Sequence, residues 1–199
     1  DGGKIREAYL NLQLSSKYGL QNDDFILQQV NGMDKDIKAF MDNSKQYLKT
    51  VRAVHAKIED GLKAVKGENI SEFYKGQLEQ ITVTLHKLEF NEGLHECRKK
   101  IKTLLYNRKI AAEALESSLR IDNDYLDKLQ EGIGQWHDSL LEIGLFSSPG
   151  INDRTVIAKI KRQNARQRKS ISNLAHDFWK KATLTDQAIN NGQEVRVWV

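Results

Sequence analysis

The chain has 199 residues, of which 39% are hydrophobic and 29% are charged, a balance typical of a globular protein rather than a disordered one. Its single cysteine, Cys97, excludes a fold held by internal disulfides, and its single proline favours long helices. The formal net charge of +4 is uneven, because residues 151–199 hold ten of the 31 Lys and Arg but only four of the 27 Asp and Glu. Either an anionic partner or a merely solvated basic face would account for this asymmetry.

No targeting or membrane-spanning segment is evident in the sequence. No apolar run approaches the roughly 18 residues of a transmembrane helix, and there is no hydrophobic region of a signal peptide. The chain begins at Asp1 rather than Met, so we expect a processed product or a fragment. The single cysteine favours an intracellular location, but the sequence leaves the compartment open.

Helical periodicity is strongest in the second quarter of the chain. Lys4–Leu14 is predicted as a short helix, and Asn22 with the two aspartates after it is predicted to cap the next element. Asp34–Lys66 carries the clearest pattern and is predicted as one long helix. Five of its positions are spaced by seven: Ile37, Ser44, Val51, Ile58 and Val65. This heptad-like order indicates packing in a bundle or coiled coil.

The middle of the chain predicts either one long helix or two. Asn69–Glu72 fits a capping box with Asn69 as the cap, and apolar residues then recur at helical spacing to about residue 119. Asn91–Gly93 is the point at which the helix would be interrupted. A further helix is predicted to restart at Ile121–Asp124, with Trp136 on its apolar face.

The last helix is predicted over Asp153–Lys181, after a loop, and it has two opposite faces. Its apolar residues are Val156, Ile157, Ile160, Ile171, Leu174, Ala175 and Phe178. The opposite side carries Lys159, Arg162, Arg166 and Lys169, with no acid between Asp153 and Asp177. Asn164 and Gln167 interrupt the apolar face, so they either fix the register of this helix in the core or mark a contact with a partner.

Motifs that would indicate an enzyme or a metal centre are weak. His95 and Cys97 are two residues apart with no second cysteine, so a boundary histidine beside a buried thiol is the favoured interpretation. Gly132-Ile-Gly134 lacks the strand and the lysine of a phosphate-binding loop. The sequence therefore predicts no catalytic residue, no cofactor and no metal.

A second basic cluster precedes the last helix by about 60 residues. Arg98 and Lys102 share one stripe beside the apolar face of their own helix. If that helix neighbours Asp153–Lys181, these two cations join Lys159, Arg162, Arg166 and Lys169 in one positive surface. These six residues are the predicted site for a partner or an anion.

Together these patterns predict an all-α protein. We expect an elongated multi-helix bundle with coiled-coil-like long antiparallel helices over residues 1–190, then a strand-like tail over 191–199 that could begin a further domain. The predicted function is a non-enzymatic protein–protein interaction or scaffold domain, with a protein partner or self-association. The alternative is a module that binds acidic membrane or nucleic acid through the basic face of 153–181. No small-molecule substrate is evident.

Overall fold

A computed structural model describes residues 2–62, 66–115 and 119–183, and these residues form eight α-helices. The helices are α1 (Gly2–Tyr18), α2 (Asp23–Asp42), α3 (Ser44–Leu62), α4 (Gly67–His86), α5 (Glu92–Leu115), α6 (Asn123–Phe146), α7 (Arg154–Ala175) and α8 (Phe178–Ala182). The prediction of an all-α fold is confirmed. None of these helices is both long and apolar enough to span a bilayer. The predicted strand-like tail at 191–199 lies outside the described residues.

The chain divides into two compact units. Of the described residues, the first unit takes in 2–62 and 141–160, and the second takes in 66–115, 119–140 and 161–183. Helices α1, α2 and α3 therefore belong to the first unit, and α4, α5 and α8 belong to the second. Helices α6 and α7 each contribute residues to both.

The interior of the first unit combines an aromatic pair with a buried carboxylate. The rings of Tyr18 and Phe146 meet edge to face, with centroids 5.1 Å apart. Glu142 is buried and accepts hydrogen bonds from Lys17 Nζ at 2.9 Å and from Tyr18 Oη at 3.0 Å. Since a buried carboxylate needs a partner, this pair of donors satisfies Glu142 and ties α1 to the end of α6.

The second unit has a larger core, which five helices share. Its buried residues include Leu78 and Ile81 from α4, Ile101 and Leu104 from α5, Leu129, Ile133 and Trp136 from α6, Ile171 from α7, and Phe178 from α8. Two tyrosines cross-link the helices: Tyr74 donates to the Leu104 carbonyl at 2.8 Å, and Tyr125 donates to the Leu174 carbonyl at 2.7 Å. The predicted core role of Trp136 agrees with its exposure of 2%.

The segment predicted as one helix from Asp34 to Lys66 is two helices in the structure. Helix α2 already begins at Asp23, where the Phe25 N–H donates to the Asn22 side chain at 2.9 Å, so the predicted cap is present. The helix ends at Asp42, and the Asn43 side chain donates to the Ala39 carbonyl at 2.8 Å, which also accepts the Asn43 N–H at 3.3 Å. Helix α3 then starts at Ser44.

Three further helix boundaries either differ from the predicted ones or decide between the predicted alternatives. Helix α4 starts at Gly67, and Asn69 is not the cap but accepts from the Lys66 N–H at 2.9 Å. Helix α4 ends at His86 and α5 begins at Glu92, so the middle of the chain forms two helices rather than one. Helix α7 ends at Ala175 instead of continuing to Lys181, because Asp177 adopts a left-handed conformation with φ of 54°.

Candidate functional site

The first unit exposes a continuous row of large apolar side chains along α2 and α3. These are Ile37, Phe40, Met41, Tyr47, Leu48, Val51, Val54 and Ile58, and each is at least 40% exposed. The Phe40 and Tyr47 rings, 5.3 Å apart, connect the row across the break at Asn43. The heptad pattern predicted a packed seam here, but the seam faces solvent. We call these eight residues the α2–α3 stripe.

Helix α7 carries a positively charged surface instead. Its 22 residues include seven Lys and Arg and no Asp or Glu. Arg162, Arg166 and Lys169 belong to the second unit, are exposed, and have no carboxylate within ion-pair distance among the residues that the structure describes. Lys159 belongs to the first unit, where its Nζ lies 5.8 Å from the centroid of the Tyr18 ring.

The two amides that interrupt the apolar face of α7 point towards the interior of the second unit. Asn164 Nδ2 donates to Ser139 Oγ on α6 at 2.6 Å. Gln167 is buried, and its Oε1 has no hydrogen-bond partner in the described part of the chain. The bonded Asn164 fits the register-fixing role, because its partner on α6 lies 25 residues away along the chain.

Next to these amides, a cation that the sequence pattern did not single out lies over an aromatic ring. The Arg168 guanidinium carbon is 4.4 Å from the centroid of the Phe90 ring, at the distance of a cation–π interaction. Phe90 in turn meets Trp136 edge to face at 5.5 Å. Arg168 thus connects α7 to the loop between α4 and α5 and to the core of the second unit.

Arg98 is anchored on helix α6. Its Nε donates to the Gln130 carbonyl at 3.1 Å. The guanidinium lies directly on Gly134: a Cβ added there would be 2.7 Å from Nε and 2.9 Å from Nη2. Gly134 therefore provides the space that lets Arg98 reach the α6 backbone. Arg98 is partly buried, so much of its side chain is committed to this contact rather than to an external partner.

One turn before Arg98, two histidines stack across α5 and α6. The rings of His95 and His137 are 4.0 Å apart and 25° from parallel. The pKa of His95 is lowered from its ordinary value, mainly by burial and then by the nearby charges of His137, Lys99 and Arg98, which outweigh the opposing effect of Glu92. His95 Nδ1 is buried and has no hydrogen-bond partner among the described residues.

Lys102 and Cys97, also on α5, have different surroundings. Lys102 is partly buried, and its Nζ lies 5.2 Å from the centroid of the Tyr106 ring. Cys97 is a buried residue of the core, and burial raises the pKa of its thiol to about 12. A thiol with such a pKa stays protonated near neutrality, so it is neither a nucleophile nor a ready metal ligand. Within the described ranges, no cluster of three or more His, Cys, Asp or Glu side chains could hold a metal ion.

An open groove of about 860 Å³ lies within the second unit, between the end of α4 and the α7–α8 corner. Its lining includes His86, His176 and Trp179, and the Trp179 indole is 39% exposed. The exposure of Trp179 at the rim of a groove leaves the indole accessible to a ligand or partner.

The predicted basic site therefore separates into parts with different surroundings. Arg162, Arg166 and Lys169 share one exposed side of α7, Lys159 belongs to the first unit, and Arg98 and Lys102 lie on α5. The His95–His137 stack and the Arg168–Phe90 contact are not predicted by the sequence pattern. One available signal was the spacing of His95, Arg98 and Lys102 by three and four, which places them on one side of α5.

Comparison with known protein families identifies the class of the protein. A model of the CHAD domain matches residues 29–147, about three fifths of the chain. The chain therefore belongs to the CHAD domain family. The matched region runs from within α2 to the end of α6, so it includes all eight residues of the α2–α3 stripe and the His95–His137 stack, whereas α7 lies beyond it. No curated protein and no solved structure matched the chain.

Proposed function

We propose that this chain is a non-enzymatic, helical protein–protein interaction or scaffold domain, and that the α2–α3 stripe is its contact surface. The observation that carries the proposal is the exposure of eight large apolar side chains in one row. Extended exposed apolar surface on a soluble domain marks an interaction site more often than scattered single residues do. An amphipathic helix of a partner is the kind of ligand that fits such a row.

A photo-reactive residue placed in the stripe tests this proposal directly. Val54 lies in the stripe, whereas Ala53 is also exposed but is turned by about 100° around the same helix. A benzophenone amino acid at position 54 is expected to form adducts with another polypeptide chain in cells, and the same group at position 53 is the matched control. The proposal fails if position 54 gives no protein adduct, or gives no more than position 53.

A second candidate function is binding to an anionic surface, either acidic membrane or nucleic acid. It is favoured by one observation, the excess of seven cations and no acid on α7. The residues proposed to make the contact are Arg162, Arg166 and Lys169, which belong to the second unit. Lys159 belongs to the first unit and is not counted in this contact. Arg98 and Lys102 are assigned a weaker contribution, because Arg98 already binds the Gln130 carbonyl and Lys102 lies over Tyr106.

The salt dependence of binding separates this candidate from the first. If three cations neutralise phosphates, binding to duplex DNA should weaken by roughly 40-fold between 50 and 200 mM salt. A triple variant with Arg162, Arg166 and Lys169 changed to Glu should then lose binding to DNA and to vesicles of acidic lipid. A matched control changes three exposed lysines of other helices to Glu: Lys35, Lys38 and Lys75. Equal binding by the two triple variants would eliminate this candidate.

A further inference from the structure

Helix α3 is exposed on all of its sides. Every residue from Lys45 to Gly61 is exposed, on the polar and the apolar side alike. In water, helices of this length depend mainly on the packing of an amphipathic face rather than on helix propensity. The apolar side of α3 therefore needs a covering surface, and the charges of the same helix indicate what kind of surface that is.

The apolar side of α3 is narrow and continuous. Four side chains fall within an arc of about 60°, counted at about 100° per residue. They are Tyr47, Val51, Val54 and Ile58, and each is at least 42% exposed. The 19 residues of α3 span about 28 Å. A strip of this kind is what an amphipathic helix presents to an apolar phase.

The remainder of α3 is positively charged over most of its length. No Asp or Glu occurs between Asp42 and Glu59, whereas four cations do: Lys45, Lys49, Arg52 and Lys57. None of the four forms an ion pair with a carboxylate in the part of the chain that the structure describes. Helix α3 thus combines an uncovered apolar side with positive charge that no acid of the described residues offsets.

Most of these cations lie opposite the apolar side rather than along its border. Lys45, Lys49 and Arg52 lie about 130–170° around the helix from the centre of the apolar side, and Lys57 lies about 90° from it. A protein helix packed on the apolar side would be out of reach of the first three. An acidic bilayer acts on both sides, because its negative surface potential extends over a Debye length of about 10 Å, which is about the diameter of a helix.

We propose that α3 binds the surface of an acidic phospholipid bilayer and lies in its plane, with Val51 and Val54 towards the acyl chains. The cations then remain in the head-group layer, as in other basic amphipathic helices that bind membrane surfaces. Tyr47 lies at the head-group level, where rings with a polar tip are favoured.

The contact is assigned to α3 rather than to its neighbour α2. Helix α2 carries five aspartates against two lysines, so an acidic bilayer would repel it. The lipid ligand goes beyond the protein partner proposed above. A bilayer and a protein partner would cover the same apolar side of α3, so each excludes the other.

Co-sedimentation of the purified chain with lipid vesicles measures this binding. One set of vesicles is pure phosphatidylcholine, and the other contains about one third phosphatidylglycerol, which gives an acidic surface. Since each Lys or Arg near such a surface strengthens binding roughly fivefold, we expect binding to the acidic vesicles to be tighter by roughly tenfold or more. A chain that does not bind acidic vesicles, or that binds both kinds equally, overturns the inference.

Neutralisation of the cations of α3 tests the electrostatic part. A triple variant with Lys45, Lys49 and Arg52 changed to Gln should bind acidic vesicles roughly a hundredfold more weakly. Gln forms helices about as well as Lys and Arg, so the variant is expected to keep its helical circular dichroism. The matched control has the same net charge and changes three exposed lysines of the second unit to Gln: Lys75, Lys87 and Lys128. Equal binding by the two triple variants overturns the inference.

The basic surface of α7 is distinguished from α3 in the same assay. The triple variant with Arg162, Arg166 and Lys169 changed to Glu should bind acidic vesicles no more weakly than its matched control, described above. Loss of vesicle binding in the α7 variant, with full binding in the α3 variant, would assign the membrane contact to α7 and overturn the inference.

Two substitutions test the apolar side. Val51→Gln combined with Val54→Gln should weaken binding to acidic vesicles roughly tenfold or more, because two apolar side chains no longer leave water. Ala53 and Ala56 are also exposed but lie on the opposite side of α3, so the same change to Gln at these two positions is the matched control. The control is expected to bind as the unchanged chain does, and equal weakening in both variants would overturn the inference.

Spin labels show the orientation of the bound helix without reliance on affinity. The native Cys97 is buried, so a cysteine introduced on α3 is the reactive thiol. On acidic vesicles, a nitroxide at position 54 should collide more often with oxygen, which dissolves in lipid, than with a water-soluble nickel complex. A nitroxide at position 53 should show the reverse. Equal accessibility of the two positions in the bound chain overturns the inference.

The failure of this inference is separate from the failure of the proposed function. A chain that does not bind acidic vesicles, but whose position 54 still forms adducts with a protein in cells, rejects the membrane contact and retains the protein interaction. A chain that binds acidic vesicles through α3 and forms no protein adduct has the opposite meaning.

Discussion

The contact between Arg98 and Gly134 gives a prediction that a double-mutant cycle can measure. Gly134 lies inside helix α6, where alanine is more favourable than glycine by about 1 kcal/mol. The new Cβ would, however, lie 2.7 Å from Arg98 Nε and force the guanidinium away from the Gln130 carbonyl. A hydrogen bond from a charged donor contributes about 1.5–3 kcal/mol, and partial exposure of Arg98 places this one at the lower end.

These two effects nearly cancel when Arg98 is present. Gly134→Ala should then change the free energy of unfolding by between zero and about 1 kcal/mol in the destabilising direction. In an Arg98→Ala background the clash is absent, so the same change should stabilise the protein by about 1 kcal/mol. The expected coupling energy is thus about 1.5 kcal/mol, well above the roughly 0.3–0.5 kcal/mol by which independent mutations deviate from additivity.

Urea unfolding followed by circular dichroism measures the four free energies. Gly132→Ala is the matched control, because its Cβ would be 3.5 Å from Ile171 Cγ1, which is ordinary van der Waals contact. It should stabilise the protein by up to about 1 kcal/mol in both backgrounds. If Gly134→Ala behaves like Gly132→Ala, with no coupling to Arg98, then the role assigned to Gly134 is refuted.

Three other predictions concern single residues. Because folding lowers the pKa of His95 below its ordinary value of 6.5, the unfolded state binds more protons, and the free energy of unfolding should fall as the pH drops from 7.5 to 5.5. The fall should be less steep in His95→Asn, and equal slopes of the two proteins in urea titrations would contradict this. The buried Cys97 thiol, with its pKa of about 12, should react with Ellman's reagent at pH 8 only when the protein unfolds, and rapid labelling of the native protein would count against the burial of Cys97. Cys97→Ser should lower the free energy of unfolding by about 1–3 kcal/mol, because it buries a hydroxyl. The Asp153 side chain accepts hydrogen bonds from the N–H groups of Thr155 and Val156, both at 3.0 Å. In thermal unfolding, Asp153→Ala should therefore lower stability by about 1 kcal/mol, whereas Asp153→Asn should keep most of the cap.

Residues that act within their own helix were predictable from the sequence. The predicted Asn22 cap depends on an N–H group three residues away, and it is present. Periodicity also identified core residues such as Trp136 and Ile171, because an amphipathic helix buries the face that carries its large apolar side chains. The side chain of Asn43, which donates to the Ala39 carbonyl at the end of α2, also acts locally, but the sequence pattern did not predict a helix end there.

Contacts between distant helices were not predictable in the same way. Three such contacts join residues that lie between 36 and 78 positions apart in the chain. They are His95 with His137, Arg98 with Gly134, and Arg168 with Phe90. Such contacts depend on which helices are neighbours and on their relative rotation. A hydrophobic period sets neither of these, since many pairings bury the same apolar face.

The sequence by itself determined that this protein is all-α, that α7 carries only positive charge, and that α2 and α3 carry a heptad-like apolar row. These properties follow from residue order, because helical periodicity fixes which side chains share a face. Only the tertiary structure decided which faces are covered. The apolar face of α7 is buried at Ile160 and Ile171, whereas the row along α2 and α3 remains exposed. The physical reason is that the same pattern can pack against its own chain or against another, and only the positions of neighbouring helices distinguish the two.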